Sequence, residues 1–172
     1  MSDNTNRYLT YHYLSPVPGD IVSVSVCKGL TSVGTSTGWL YLLDISTGDI
    51  IHGLQVHTGP ICSLSLNYDG TIVASCASND KYVCITNLND KSNPDIIDFT
   101  ESITVVAIDS CASSLSSSSI PSISSSFNGT CELLVGTKSG SVIMYYHQPN
   151  KWTPYGKKKE LKIFNGARYP VR

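Results

Sequence analysis

The sequence has few charged residues, and this limits the classes of function open to it. Lys, Arg, Asp and Glu together make up 15% of its 172 residues, and the formal net charge is −1. Sequence-independent binding to nucleic acid needs clustered Lys and Arg that face phosphates. The densest basic run, the three lysines at 157–159, is typical of a solvated loop. We therefore expect no nucleic-acid partner.

Signals for export and for metal binding are also missing. The N-terminal segment lacks a basic region followed by an apolar one, and no stretch approaches the ~18 apolar residues of a membrane span. The six cysteines are scattered and none forms a CxxC pair, so the spacing of a zinc site is absent. We expect a cytoplasmic chain with reduced thiols, no metal and no cofactor.

The common catalytic motifs are absent as well. The sequence contains no GxSxG, no HExxH and no glycine-rich phosphate loop. Glycoside hydrolysis needs two convergent carboxylates, but Asp44, Asp69 and Asp80 lie in turns and at strand ends, where an Asp is typically structural. We predict no catalytic residues and a protein that is not an enzyme.

What the sequence does contain is an internal repeat. Three segments align: TSVGTSTGWLYLLDISTG (31–48), ASCASNDKYVCITNLND (74–90) and LLVGTKSGSVIMYYHQP (133–149). Gly34 matches Ala77 about 43 residues on, the interval of a WD-type propeller blade, and Gly136 follows about 59 residues later. Serine-rich sequence accounts for the excess of roughly 16 residues, and we predict a disordered loop insertion at 111–127.

A further strand precedes each repeat and a looser one follows it. The preceding strands are DIVSVSV (20–26), PICSLSL (60–66) and SITVVAI (102–108), and the first two alternate strictly between apolar and small or polar residues. Four short strands per unit without a helical period are typical of a propeller blade. We predict an all-β fold, a partial WD-repeat-like β-propeller over 8–172. Its four-stranded blades lie near 8–56, 57–100 and 101–152, a fourth starts at 157–172, and residues 1–7 are disordered.

The alternation also predicts the core. We expect these apolar side chains to be buried: Val24, Val33, Leu40, Leu42, Ile61, Leu64, Val73, Val83, Ile85, Val105, Leu134, Val142 and Met144.

One constellation of polar residues fits a structural role. In WD-type blades a His from the incoming loop, a Ser or Thr, a turn Asp and a Trp form a buried hydrogen-bonded chain. The second blade offers His57, either Ser75 or Ser78, and Asp80, although no Trp-Asp pair ends its third strand. An exposed loop position for His57 is the alternative.

The chain resembles the N-terminal propeller of the vacuolar protein sorting-associated protein 41 family, subunits of the HOPS tethering complex. The similarity is carried by RYLTYHYL, VGTSTGWLYLLDISTGDII, HTGPICSLSLNYDGTIVASCASND, CELLVGTKSGSVIMYY and KWTPYGKKKELKIFNGARYPVR, in this order. Ser36 departs from the family, which often has His there. The family's remaining blades, helical solenoid and RING-like end are absent, so we expect a chain shortened at its C-terminus.

This resemblance implies an interaction module that acts in fusion of vesicles with late endosomes and the vacuole or lysosome. The implied partners are other HOPS subunits and a late-endosomal Rab GTPase, and these partners would hold the chain at the membrane periphery. A general WD-repeat scaffold, such as a ubiquitin-ligase substrate receptor, is the alternative. An open arc of blades also leaves sheet faces uncovered, so we expect self-association through the third-blade face around Val142, Met144 and Tyr146.

Overall fold

The computed structural model describes residues 15–89, 93–110, 131–148 and 151–154. Within these ranges the chain forms 12 β-strands and no helix, and the strands build three four-stranded antiparallel sheets. This confirms the predicted all-β, propeller-like fold class. The predicted N-terminal tail (1–7), the serine-rich insertion (111–127) and the start of a fourth blade (157–172) lie outside the described residues.

We call the sheets blades one, two and three, and in each the strands are neighbours in chain order. Blade one contains β1 (Ile21–Cys27), β2 (Leu30–Thr35), β3 (Trp39–Asp44) and β4 (Ile50–Gln55). Blade two contains β5 (Ile61–Leu66), β6 (Ile72–Ala77), β7 (Tyr82–Asn87) and β8 (Asp95–Asp98). Blade three contains β9 (Ile103–Ser110), β10 (Cys131–Thr137), β11 (Val142–Gln148) and β12 (Lys151–Pro154).

The turn between the second and third strands is built in the same way in blades one and three. In blade one the Gly38 N–H donates to the Thr35 carbonyl at 3.2 Å, and the Thr35 hydroxyl accepts the N–H of Trp39 at 3.0 Å. In blade three the Gly140 N–H donates to the Thr137 carbonyl at 3.1 Å. Gly38 and Gly140 have φ of +83° and +85°, a region that glycine enters without steric cost.

Serines on the first strands join the blades, because β1 lies beside β5 and β5 lies beside β9. A first strand is the edge of its sheet, so its outward N–H and C=O groups have no strand partner. Four serines, which we call the seam serines, bond to these groups on the next blade. The bonds join Ser23 Oγ to Ile61 O (2.8 Å), Ser25 Oγ to Leu66 N (3.1 Å), Ser63 Oγ to Val106 N (3.2 Å) and Ser65 Oγ to Ile108 N (3.2 Å).

In addition to the seam serines, apolar side chains fill the space between neighbouring blades. The core between blades one and two consists of Leu40, Leu42, Ile61, Leu64, Leu66 and Val73. The core between blades two and three consists of Ala74, Cys76, Val83, Ile85, Ile103, Val106, Ile108, Leu133, Val135 and Trp152. Blade two therefore buries apolar residues on both of its faces.

Eight of the thirteen predicted core residues are buried, namely Val33, Leu40, Leu42, Ile61, Leu64, Val73, Val83 and Ile85. Val105, Val142 and Met144 are half-buried. The prediction is wrong for Val24 and Leu134, which are 54% and 40% exposed. Val24 alternates with Ser23 and Ser25, which face blade two, and Leu134 alternates with the buried Leu133 and Val135. Both side chains thus lie on blade faces that no other described blade covers.

Replacement of Ser63 by alanine tests the importance of the seam serines. The Ser63 hydroxyl lies 3.2 Å from the N and 3.4 Å from the O of Val106, so its removal leaves the Val106 N–H at the seam without this acceptor. We expect Ser63→Ala to lower the free energy of unfolding in urea by about 1–2 kcal/mol. Thr100→Ala, at an exposed position, should change it by less than about 0.5 kcal/mol. Equal effects of Ser63→Ala and Thr100→Ala would contradict a stabilising role of the seam serines.

Candidate functional site

The structure places His57 at the start of blade two, where the chain arrives from blade one. The backbone N–H groups of Val56 and His57 both donate to the Gly38 carbonyl, each at 3.1 Å. These bonds tie the segment before β5 to the turn between β2 and β3, and they direct the imidazole inward. His57 is buried, which excludes the alternative of an exposed loop histidine.

His57 contacts two of the side chains that the sequence suggested for it. Its Nδ1 lies 2.8 Å from Asp80 Oδ2 and its Nε2 lies 3.0 Å from Ser75 Oγ. Of the two candidate serines, Ser75 lies within β6 and makes this contact, whereas Ser78 is exposed and its N–H donates to the Pro60 carbonyl. His57, Ser75 and Asp80 are called the His57 network below.

An aromatic ring covers the imidazole on one side. The Tyr82 ring stacks on that of His57 with centroids 5.0 Å apart, and its hydroxyl donates to the Val56 carbonyl at 3.1 Å. Burial raises the pKa of Tyr82 to about 12, and the negative charge of the Asp80 carboxylate adds to the shift. The phenol therefore stays protonated and holds the ring against His57.

Burial lowers the pKa of His57, because a charged imidazolium would lose its hydration, while the hydrogen bond to Asp80 opposes this shift. The net direction is downward, so the imidazole is neutral near pH 7. In that form Nδ1–H donates to the Asp80 carboxylate, and Nε2 accepts the hydroxyl proton of Ser75. Each polar atom of the imidazole then has a partner inside the blade.

These distances match those of a Ser-His-Asp catalytic triad, but the surroundings do not. A nucleophilic serine must be reachable by substrate and must lie beside oxyanion donors. Ser75 is fully buried between strands β5 and β7. The arrangement can order the blade by hydrogen bonding, and the Ser75 hydroxyl is buried rather than exposed to a substrate.

The other aspartates considered from the sequence lie in separate turns. Asp44 Oδ1 accepts the backbone N–H groups of Ser46 and Thr47 at 2.7 and 3.3 Å, and the hydrogen bonds from Ser46 lower the pKa of Asp44. Asp69 lies 3.4 Å from the Lys28 ammonium at the surface. Within the described residues no group of three His, Cys, Asp or Glu side chains is arranged to hold a metal ion.

Two features of the structure are not among those predicted from the sequence. The seam serines had a signal, since they occupy the polar positions of DIVSVSV and PICSLSL. The close approach of Cys62 and Cys76, whose sulfur atoms are 3.6 Å apart, had none, because the two residues are 14 positions apart.

Among the described residues, the outward faces of the two end blades carry exposed apolar side chains. On blade one, Val22, Val24 and Val26 are 46%, 54% and 62% exposed and form a stripe, which we call the valine stripe. On blade three, Leu134 is exposed while Val142, Met144 and Tyr146 are half-buried. In the part of the chain that the structure describes, no helix is long and apolar enough to cross a membrane.

Comparison with known proteins places the chain in a family. The family model Beta-prop_Vps41, described as the Vps42 beta-propeller, matches residues 18–125, more than half of the chain. No curated protein matches the chain. Among solved structures, the β-propeller domain of Cps50 (Swd1) from Myceliophteria thermophila is similar, with a TM-score of 0.61 at 14% sequence identity. That similarity covers 81% of this chain and 40% of the other, and it shows the fold alone.

Proposed function

Because the chain belongs to the Vps41 β-propeller family, we propose that it is a non-enzymatic protein-interaction module of a HOPS-type tethering subunit. The family match over residues 18–125 carries this proposal. The chain would act in the fusion of vesicles and endosomes with the vacuole or lysosome. It would reach those membranes from the cytoplasm, through other HOPS subunits and a late-endosomal Rab GTPase.

The geometry supports binding through a fixed surface. The seam serines and the two interblade cores hold the three sheets together, so the connecting loops are presented on a rigid frame. One such loop surface combines Lys28, Tyr68 and Asp69. The Lys28 ammonium lies 4.1 Å from the centroid of the Tyr68 ring and 3.4 Å from Asp69 Oδ1. An exposed tyrosine held in this way is typical of protein interfaces.

Affinity purification tests the proposed function. We expect HOPS subunits to co-purify with the tagged 172-residue chain expressed in its own cells. The variant Tyr68→Ala should capture less of them, whereas Ile96→Ala, which removes an exposed side chain from strand β8, should capture the same amount. Recovery of no HOPS subunit with the unmodified chain would overturn the proposal. Equal recovery with both variants would exclude the Tyr68 surface as the contact.

We also propose that the isolated chain self-associates through its end faces, with a second copy as the occupant. The valine stripe lies on the opposite side of β1 from the seam serines. Burial of apolar surface contributes roughly 25 cal/mol per Å², so covering this stripe favours association.

Light scattering at increasing protein concentration tests the self-association. We expect the unmodified chain to form dimers or larger species, and Val24→Glu to shift it toward monomer. The control Ile96→Glu introduces the same charge at a position that is 59% exposed on β8, and it should leave the association unchanged. An unmodified chain that stays monomeric at all concentrations would rule out the proposed self-association.

A further inference from the structure

Two cysteines of blade two form a close pair that the proposed function does not use. Cys62 is exposed on β5, Cys76 is buried on β6, and their sulfur atoms lie 3.6 Å apart. Both cysteines are free thiols. We call them the thiol pair.

An irregularity in the sheet brings the two sulfur atoms together. Along β5 and β6, Ile61 pairs with Ala77 and Ser63 pairs with Cys76, so Cys62 is the extra residue of a β-bulge. Bulges redirect a side chain relative to the regular pleat. Here the redirected Cys62 sulfur lies 3.5 Å from the Cys76 carbonyl and 3.8 Å from the carbonyl of Thr104 on blade three.

We propose that Cys62 and Cys76 form a redox modification site, at which a peroxide converts the two thiols into a disulfide. A disulfide has an S–S length near 2.05 Å, so the sulfur atoms must approach by about 1.5 Å from their separation of 3.6 Å. Cys62 is the exposed partner, and therefore it is the one that meets the oxidant.

The surroundings favour Cys62 as the nucleophile. The hydrogen bond from the Cys76 thiol lowers the pKa of Cys62 to about 7. The same pairing, together with burial, raises the pKa of Cys76, so Cys76 keeps its proton. A thiolate is the reactive form of cysteine, and an exposed thiolate beside a second thiol has the properties of a redox-sensing residue.

The reaction is balanced with hydrogen peroxide as the oxidant. The Cys62 thiolate attacks one peroxide oxygen, the O–O bond breaks, and the hydroxide that leaves takes up a proton to form water. Cys62 is then a neutral sulfenic acid. The Cys76 sulfur attacks the Cys62 sulfur, the S–O bond breaks, and the departing hydroxide combines with the Cys76 proton as a second water. Two thiols lose two electrons and the peroxide gains them.

Other cysteines of the described region supply internal controls. Cys27 is half-buried, and its sulfur lies 3.0 Å from the Tyr68 carbonyl. Cys84 is buried, and burial raises its pKa to about 11. Neither has the combination of exposure and a neighbouring thiol that distinguishes Cys62.

Peptide mapping of the full 172-residue chain after brief treatment with hydrogen peroxide tests the proposal. Chymotrypsin can cleave after Tyr68, between the two cysteines. We then expect a peptide pair that is joined through Cys62 and Cys76, about 2 Da lighter than the two reduced peptides together, and separated by dithiothreitol. Before oxidation, iodoacetamide near pH 7 should alkylate Cys62 about tenfold faster than Cys27. This second measurement needs no variant, so it holds even where a substitution disturbs folding.

Variants separate the two roles. Cys76→Ser should leave a sulfenic acid on Cys62 that dimedone traps, Cys62→Ser should abolish the cross-link, and Cys27→Ser should retain it. The proposal is overturned if the joined peptide does not form in the unmodified chain, or if Cys62 and Cys27 are alkylated at equal rates. It is also overturned if Cys62→Ser leaves the oxidation of Cys76 unchanged.

Discussion

Replacing His57 by leucine is expected to lower the free energy of unfolding by about 3 kcal/mol, a large share of the ~5–15 kcal/mol of an ordinary domain. The His57 side chain is 0% exposed and that of Asp80 is 10% exposed, so water cannot readily replace the lost contacts. Leucine fills the space, but it leaves the Ser75 hydroxyl and the Asp80 carboxylate without their partner. A buried polar group that loses its partner costs about 1–3 kcal/mol, and a charged one costs more. Urea denaturation followed by fluorescence measures the loss.

The same substitution at an exposed histidine is the matched control. His52 lies exposed on β4, so His52→Leu should change the free energy of unfolding by less than about 0.5 kcal/mol. Thr58→Ala is a second control, since its hydroxyl lies 3.5 Å from Asp80 Oδ1 at the surface. If His57→Leu costs no more than these variants, the His57 network does not stabilise the blade.

A double-mutant cycle would show whether the network acts as a unit. Asp80→Asn keeps the shape of the side chain and removes its charge, and Ser75→Ala removes the other partner of His57. Residues in one hydrogen-bonded network couple by about 0.5–3 kcal/mol, whereas distant residues do not. Effects of His57→Leu and Asp80→Asn that simply add would mean that the 2.8 Å contact contributes little.

The strands and turns were predictable because their signals are local. Alternation in PICSLSL predicts a strand with two different faces, and β5 covers Ile61–Leu66 of it. The turn of blade one follows from a glycine whose φ of +83° other residues rarely adopt. Such features depend on a few residues that are adjacent in the sequence, so a short stretch of sequence is enough to predict them.

Which of two alternating faces is buried was harder to predict, because it depends on the neighbouring sheet. Val24 has the side-chain pattern of a core residue, yet it points away from blade two. The seam serines, which look like the solvent side of the same strand, point toward the next blade and bond to its backbone. On β1 the serines therefore face the neighbouring blade and the valines are exposed. Local alternation alone predicts that the valines are buried and the serines exposed.

The same distinction between local signals and features that depend on neighbouring strands applies to the candidate site. A motif suggested His57 and Asp80, but the choice between Ser75 and Ser78 depends on strand register. Ser75 pairs with Leu64 across β5 and with Cys84 across β7, which puts it inside the sheet. The thiol pair depends on a bulge, and a shift of one residue is invisible in a pattern that has period two.

Alanine at position 38 is expected to have an even larger effect than the loss of His57. Gly38 has φ of +83°, and a Cβ placed on it would lie 2.0 Å from the His57 carbonyl oxygen and 2.5 Å from its carbon. Both atoms belong to the backbone, so no side-chain rotation relieves the clash. The Gly38 carbonyl also accepts the N–H groups of Val56 and His57 at 3.1 Å, and a shift that makes room for the Cβ breaks these bonds.

Gly140 separates the two costs of this substitution. Its φ is +85°, nearly the same as that of Gly38, but nothing lies within 4 Å of a Cβ built on it. Gly140→Ala should therefore show the backbone cost alone, about 1–2 kcal/mol. Gly38→Ala should lose at least about 3 kcal/mol more in urea unfolding, or fail to fold cooperatively, since the clash displaces the segment that positions His57. Equal losses for the two alanine variants would show that the approach of His57 to this turn is not needed to join blades one and two.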